Sequence, residues 1–217
     1  MYQAIIFDLD GLLIDSEIIS YQLYQDLLCK YNQSFTVEKY SQNYSGKSAV
    51  TNMENLIKNY QLPITVQEGL DFMARHEQEY FNQGVKLKDG ALELLQYLKN
   101  NHYQIVLATS SIPKRALGVL KQNQIDTYFD QMVFGTEIKQ GKPYPDIFLK
   151  ACKKVAVKPE DALVLEDSEA GIEAASRANI PVICIPDMKM PESRFQAMTT
   201  KILDSLTQVI DYLEAIE

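Results

Sequence analysis

Apolar residues recur along this chain with two different periods, and the change of period divides it. Ala4-Ile5-Ile6-Phe7 is an unbroken apolar run, the texture of a short parallel strand covered on both faces. Gln104-Ile105-Val106-Leu107-Ala108, Met132-Val133-Phe134, Ala162-Leu163-Val164-Leu165 and Pro181-Val182-Ile183-Cys184-Ile185 repeat it, so five strands are predicted. Helical patterns separate them. Asp89-Gly90 opens a helix that buries Ala91, Leu94, Leu95 and Leu98, and another carries Pro113 in its first turn, where a missing N–H is tolerated. A helix from about Asp146 buries Ile147, Phe148, Ala151, Cys152 and Val155. Ala170-Gly171-Ile172 starts a further helix, and the last runs through Leu206 to Leu213. Strands alternating with helices imply parallel pairing through right-handed crossovers. The predicted fold class is α/β, a doubly wound, Rossmann-like parallel sheet.

Residues 17–82 interrupt that alternation. Ile19, Leu23 and Leu27 recur four apart, with Tyr24, Leu28 and Tyr31 on the adjoining stripe. This is an amphipathic helical face. The period resumes at Val50, Met53, Leu56, Ile57 and Tyr60, and again at Leu70, Met73, Ala74 and Phe81, with Pro63 between. The segment reads as a helical bundle inserted after the first strand. The predicted division is a core of residues 1–14 and 86–217 and a cap of residues 15–85.

Composition narrows the function classes. The chain has 217 residues, 46% hydrophobic and 23% charged, an ordinary globular balance for one core and a smaller insert. Its 29 acids outnumber 21 Lys and Arg, for a net charge of -8. That surface repels a phosphate backbone, and no basic stripe relieves it, so no nucleic-acid partner is expected. A small anionic substrate is compatible, because a bound divalent cation reverses the local field. Cys29, Cys152 and Cys184 form no Cys-x-x-Cys pair and read as buried free thiols. With no leader-like N-terminus and no apolar run of membrane-spanning length, the expectation is a cytoplasmic protein without a membrane partner, most simply a monomer.

The chemistry lies where the strands stop. Asp8 and Asp10 follow the first strand. Residues two apart on a strand point the same way, so two carboxylates emerge together, and Gly11 lets the chain turn. The second strand ends in Thr109-Ser110-Ser111 and the fourth in Glu166-Asp167-Ser168. In a parallel sheet these ends share the edge where ligands bind. Lys142, before Pro143, is biased to an extended conformation. Each cluster alone has a plainer reading: Asp-x-Asp also marks other metal sites, Thr-Ser caps a helix, and Glu-Asp-Ser supplies negative charge to a helix N-terminus. Together they fit phosphoryl transfer. A phosphomonoester is doubly anionic, so a carboxylate nucleophile needs magnesium, a lysine and hydroxyl or N–H donors around the phosphoryl oxygens. A second carboxyl group carries the proton.

In these residues the chain resembles the haloacid dehalogenase superfamily, specifically its capped phosphatases and sugar phosphomutases. The resemblance spans nearly the whole chain and all four motifs occur in order: Asp8-Leu9-Asp10-Gly11, Thr109 with Ser110, Lys142-Pro143, and Glu166-Asp167-Ser168. It implies Asp8 as nucleophile, kept ionised beside magnesium and Lys142, and Asp10 as general acid/base. It further implies Thr109 and Ser110 as phosphoryl ligands, Lys142 as the cation holding Asp8 and the phosphoryl group, and Mg2+ bound by Asp8, the Asp10 carbonyl, Asp167 and Glu166. Dehalogenases lack an acid at the position of Asp10, which disfavours halide chemistry.

Substrate choice falls to the cap. Ser16 in the linker and Lys47 in the loop Ser45-Gly46-Lys47-Ser48 are candidate substrate contacts, although Lys47 also reads as a solvated loop lysine. The β-phosphoglucomutases of the family carry a histidine and an arginine where Ser20 and Ala49 stand here. Hydrolysis of a small phosphomonoester, such as a sugar phosphate, is therefore the leading expectation. A sugar phosphomutase is the alternative, and a non-catalytic binding protein on the same fold the remote one. Asp15 and Glu17 are expected to cap the first cap helix, and His76 and His102 to lie at the surface.

Overall fold

A computed structural model describes residues 2–216. The chain forms two compact units: residues 1–15 with 86–217, and residues 16–85.

In the first unit, β1 (Ala4–Phe7) is the fully buried strand that its apolar run predicts. The second unit then intervenes in sequence, with α1 (Glu17–Cys29), α2 (Val37–Asn43), α3 (Ala49–Tyr60) and α4 (Val66–Gln83). The chain returns through α5 (Ala91–Asn100), β2 (Gln104–Thr109), α6 (Pro113–Gln122), β3 (Gln131–Phe134) and α7 (Asp146–Lys154). It ends with β4 (Ala162–Glu166), α8 (Glu169–Arg177), β5 (Val182–Cys184), α9 (Ser193–Gln196), β6 (Lys201–Ile202) and α10 (Thr207–Glu214).

The sheet is parallel throughout, in the order β3-β2-β1-β4-β5-β6. The first strand is therefore central, with Ile5 flanked by Ile105 on one side and Leu163 on the other. Strand order reverses direction beside β1, the switch point at which an open α/β sheet leaves a crevice at its carboxyl edge. The core on one side of the sheet includes Ala4, Ile6, Val106, Val164, Phe148 and Ile172. Each fully buried Ile, Val or Phe contributes roughly 1.5–3 kcal/mol. That packing gives the strand ends a fixed base.

The second unit is built around aromatic side chains. Phe35 meets Tyr40, Tyr44 and Tyr60 edge-on and stacks on Tyr21. Thr65 and Glu68 form a reciprocal capping box at the start of α4, exchanging bonds with each other's backbone.

Several details depart from the sequence reading. Among the described residues there are six strands rather than five, because β6 has only two residues and no period to detect. The second unit has four helices rather than three: α2 is seven residues long and buries only Tyr40. Cys29 is exposed at the end of α1, whereas Cys152 and Cys184 are buried. Burial pushes the Cys184 thiol up to about 12, with the Asp167 and Glu166 charges adding to the effect, so it stays protonated. His76 is half-buried, stacked on Phe72 and bonded to the Phe72 carbonyl. Ser16 precedes α1 without a side-chain cap, and Glu17 instead accepts from the Tyr40 hydroxyl at 2.8 Å. Among the described residues no helix is long and apolar enough to cross a membrane.

Candidate active site

The strand ends of the first unit place three groups of side chains along one edge of the sheet. Asp8 follows β1, and its N–H donates to the Leu165 carbonyl at 3.1 Å. Its side chain is only 9% exposed. Lys142 reaches it from the segment before α7, with Nζ 2.5 Å from Asp8 Oδ1 and 2.5 Å from Glu166 Oε1. The same ammonium lies 5.1 Å from the centre of the Phe148 ring, which α7 presents to it.

Glu166 is the last residue of β4 and is fully buried. One oxygen takes Lys142. The other accepts the Asp167 and Ser168 N–H groups, each at 3.0 Å, and the Ser168 hydroxyl at 2.9 Å. Ser168 Oγ in turn accepts the Gly171 N–H, capping α8. The carboxylate has room because residue 171 is glycine: a Cβ there would fall within the Glu166 carboxylate itself.

One lysine thus serves two buried acids. Burial pushes Asp8 up, to about 7; Lys142 pulls it back, while Glu166 and Asp10 add to the rise. Burial alone would lower Lys142, but Asp8 and Glu166 outweigh it and hold its ammonium well above the ordinary lysine value. Lys142 is shared between Asp8 and Glu166, so the lysine alone does not offset both acids, and the expectation of an ionised Asp8 names magnesium beside it.

Asp10 sits differently. Its side chain is 31% exposed. Ser111 Oγ donates to Oδ2 at 2.7 Å, Arg115 Nη1 lies 2.9 Å from Oδ2 and 2.8 Å from Oδ1, and Arg115 Nη1 also contacts Ser111 Oγ at 2.5 Å. The sequence reading missed Arg115. It lies in the first turn of α6, the wrong end of a helix for a cation, which costs about 0.3–1 kcal/mol. Charge-assisted bonds to Asp10, worth roughly 1.5–3 kcal/mol, offset this. A helix that begins Pro113-Lys114-Arg115 with no acid in its first turn was the available signal.

Thr109 ends β2 almost wholly buried, its hydroxyl accepting the Ser111 N–H at 3.0 Å, and Ser110 beside it is exposed. Asp167 and Asp187 both close on Gly11, whose φ of 82° suits glycine. A Cβ at Gly11 would collide with Asp167 Oδ2 and lie 3.4 Å from Asp187 Oδ2. Asp187 is the second residue the sequence reading missed. Asp8 directly follows β1, whereas Ile185 and Pro186 separate Asp187 from β5. Lys88 holds its Oδ1 at 2.5 Å, and its Oδ2 is buried without a hydrogen bond. Burial raises the Asp187 carboxyl, with Lys88 pulling it back.

The candidate residues Ser16 and Lys47 belong to the second unit. Ser16 is buried ahead of α1, and exposed Lys47 donates to the Asn43 carbonyl at 2.7 Å, at the end of α2.

The donors present fit a hard divalent cation. Asp8 and Asp167 are carboxylates, the Asp10 carbonyl is a further oxygen, and Asp187 Oδ2 is a buried acceptor without a partner. Glu166 differs, because both its oxygens are already engaged by Lys142 and by N–H and hydroxyl donors. Among the described residues no three His, Cys, Asp or Glu side chains make a ready cage. Magnesium keeps several waters and needs none.

Comparison with known proteins gives the family. Residues 5–185 match the haloacid dehalogenase-like hydrolase family model. The phosphorylated carbohydrates phosphatase of Thermotoga maritima is 31% identical over 178 residues, 82% of either chain. Among solved structures, a conserved haloacid dehalogenase-like protein of Agrobacterium tumefaciens superposes with a TM-score of 0.88 at 24% identity, over 100% of this chain and 99% of that one. The β-phosphoglucomutase of Clostridium difficile does so at 0.77 and 23%, over 99% and 96%. The chain belongs to the haloacid dehalogenase-like hydrolases.

Proposed function

We propose that this enzyme is a magnesium-dependent phosphatase that hydrolyses a small phosphomonoester, a phosphorylated carbohydrate being the favoured class, through an aspartyl-phosphate on Asp8. The observation that carries the reading is the division of labour between the two acids. Asp8 is buried and tethered by a lysine that Glu166 fixes from the other side. Asp10 is a third exposed and held by different partners.

Asp8 Oδ attacks phosphorus as the ester P–O bond breaks. Asp10 gives its proton to the departing alcohol oxygen, then takes one from the water that hydrolyses the Asp8 acyl phosphate. Lys142 neutralises charge on the phosphoryl oxygens and keeps Asp8 in line. Thr109 and Ser110, at the end of β2, supply hydroxyl or N–H donors. Asp8, the Asp10 carbonyl and Asp167 would hold Mg2+, which when bound neutralises the phosphoryl group against the attacking carboxylate. Glu166 acts through Lys142. The carbohydrate class rests on the Thermotoga maritima relative, and hydrolysis over the mutase reaction rests on Ser20 and Ala49 standing where the mutases of the family carry a histidine and an arginine.

Phosphate release over a panel of sugar phosphates, nucleotides and small phosphomonoesters, with and without Mg2+, tests the reading. Magnesium-dependent release from sugar phosphates is expected. Conversion of β-glucose 1-phosphate to glucose 6-phosphate, without free phosphate, would replace it with a mutase.

A further inference from the structure

Asp10 has to present a proton to one oxygen atom within about 2.6–3.2 Å, yet it stands on the turn after β1 with its carboxyl partly open to solvent. Its two oxygens are not equivalent. Oδ2 accepts from Ser111 Oγ and Arg115 Nη1, whereas Oδ1 is buried and accepts no hydrogen bond even though Arg115 Nη1 is 2.8 Å away. Guanidinium and carboxylate are therefore in charge contact on both oxygens, with the directed bonds on one.

The partners come from a single rigid piece of chain. Ser111 and Arg115 are four residues apart and bonded to each other, the spacing that aligns two side chains on one helical face. Pro113 between them begins α6, and its ring fixes its own φ. Ser111 N–H is in turn bonded to Thr109 Oγ1 at the end of β2. The grip on Asp10 is thus referred back to the sheet that also carries Asp8.

We propose that Arg115, acting with Ser111, is a positioning residue that fixes the Asp10 carboxyl group on which the catalytic proton travels. The inference rests on the phosphatase reading above, in which Asp10 is the acid/base. In the first half-reaction the carboxyl O–H bond breaks and the proton joins the leaving oxygen as the Asp8–phosphorus bond forms and the ester bond breaks. In the second, a water proton returns to the Asp10 carboxylate as the water–phosphorus bond forms and the Asp8–phosphorus bond breaks. Arg115 gains and loses nothing in either step; it fixes where the Asp10 carboxyl stands.

The test is a double-mutant cycle on the full chain. The substrates are the sugar phosphate that the wild type turns over fastest and p-nitrophenyl phosphate, whose leaving group needs no acid. Arg115→Met should lower kcat for the sugar phosphate by about 10²-fold, the cost of a small misplacement, with KM within about twofold. The phosphorylation half-reaction of p-nitrophenyl phosphate, followed as the burst of nitrophenolate, should fall far less. Arg115→Lys should recover part of the loss, and Ser111→Ala should show a smaller loss of the same kind. In an Asp10→Asn background, Arg115→Met should add less than about threefold, because residues acting as a unit are non-additive. Equal losses in both backgrounds, or a loss confined to KM, would overturn the positioning role. Wild-type kcat in Arg115→Met where Asp10→Asn is impaired would overturn this inference alone. Wild-type turnover in Asp10→Asn would overturn the reading beneath it. Should Arg115→Met fail to fold, by circular dichroism, Ser111→Ala carries the same cycle and the same outcomes.

Discussion

Gly171 leaves the space that the Glu166 carboxylate fills. The glycine is in the first turn of α8, the glutamate at the end of β4, and a Cβ on residue 171 would overlap the carboxylate. Within a helix, alanine ordinarily beats glycine by roughly 0.8–1.0 kcal/mol. Here the sign should reverse. Gly171→Ala must displace a buried charge that Lys142 and three donors hold, and overpacking of this kind costs about 1–3 kcal/mol. The expected result is a lower midpoint in urea together with a loss of kcat, since Lys142 loses its second anchor. A midpoint equal to or above the wild type would show that Glu166 has another place to go.

The excess charge around Lys142 gives a prediction opposite to the usual one for a buried ion pair. Removing a partner normally destabilises, but Asp8→Asn leaves Lys142 paired with Glu166 and removes the surplus negative charge. The metal-free Asp8→Asn protein should melt above the metal-free wild type at pH 8, while its phosphatase activity is lost. Active-site acids are commonly held at such a cost in stability. A lower melting temperature at pH 8 would mean that the Asp8–Lys142 contact outweighs the charge imbalance.

The same charge sets a pH dependence. Burial raises the Asp8 carboxyl from 3.8 to about 7 in the folded chain. The folded state therefore binds more protons than the unfolded state between those values. Its stability contribution is full below about 4 and declines as pH rises through 7. Metal-free wild type should lose stability between pH 5 and pH 8 more steeply than Asp8→Asn, and Mg2+ should raise the melting temperature more at pH 8 than at pH 5. Parallel curves for the two proteins, in urea titrations at each pH, would remove Asp8 as the cause.

Lys88 and Asp187 form the pair behind Gly11. Asp187 is buried and Lys88 about a quarter exposed, so cutting the lysine strands a charge with little access to water. Lys88→Met should destabilise by about 1–3 kcal/mol, and Asp187→Asn in the same chain should recover most of it. Equilibrium urea denaturation of the two single variants and the double variant reads this directly, and additive losses would show that the two residues are not coupled.

Much of the architecture is legible in the sequence, and the places where it is not have physical reasons. A parallel strand covered on both faces has to be an unbroken apolar run, so β1, β2, β4 and β5 are visible as such. Strand β6 is two residues long, and α2 buries a single tyrosine, so neither leaves a period. The strand-end acids stand out because a charge directly after an apolar run is conspicuous. Asp187 does not follow its strand directly: Ile185-Pro186 intervene, and the proline reads as a turn. Arg115 is harder to find, since its partner is 105 residues away in sequence and only the topology brings α6 beside the turn after β1. Gly171 carries no visible mark, because the need for it is the size of a carboxylate on another element. The sharing of Lys142 is hidden for a related reason: sequence shows Lys142 as a partner of Asp8 but not that Glu166 claims half of it.

The proposed chemistry turns on transient phosphorylation of Asp8. Wild-type enzyme quenched in acid during turnover of a sugar phosphate with Mg2+, then digested and mapped by mass spectrometry, should carry one phosphoryl group on the peptide containing Asp8. Hydroxylamine should remove that group, as it does an acyl phosphate, and Asp8→Asn should show neither the adduct nor turnover. An enzyme that releases phosphate with Asp8 unmodified throughout, or an Asp8→Asn variant with wild-type turnover, would contradict the account.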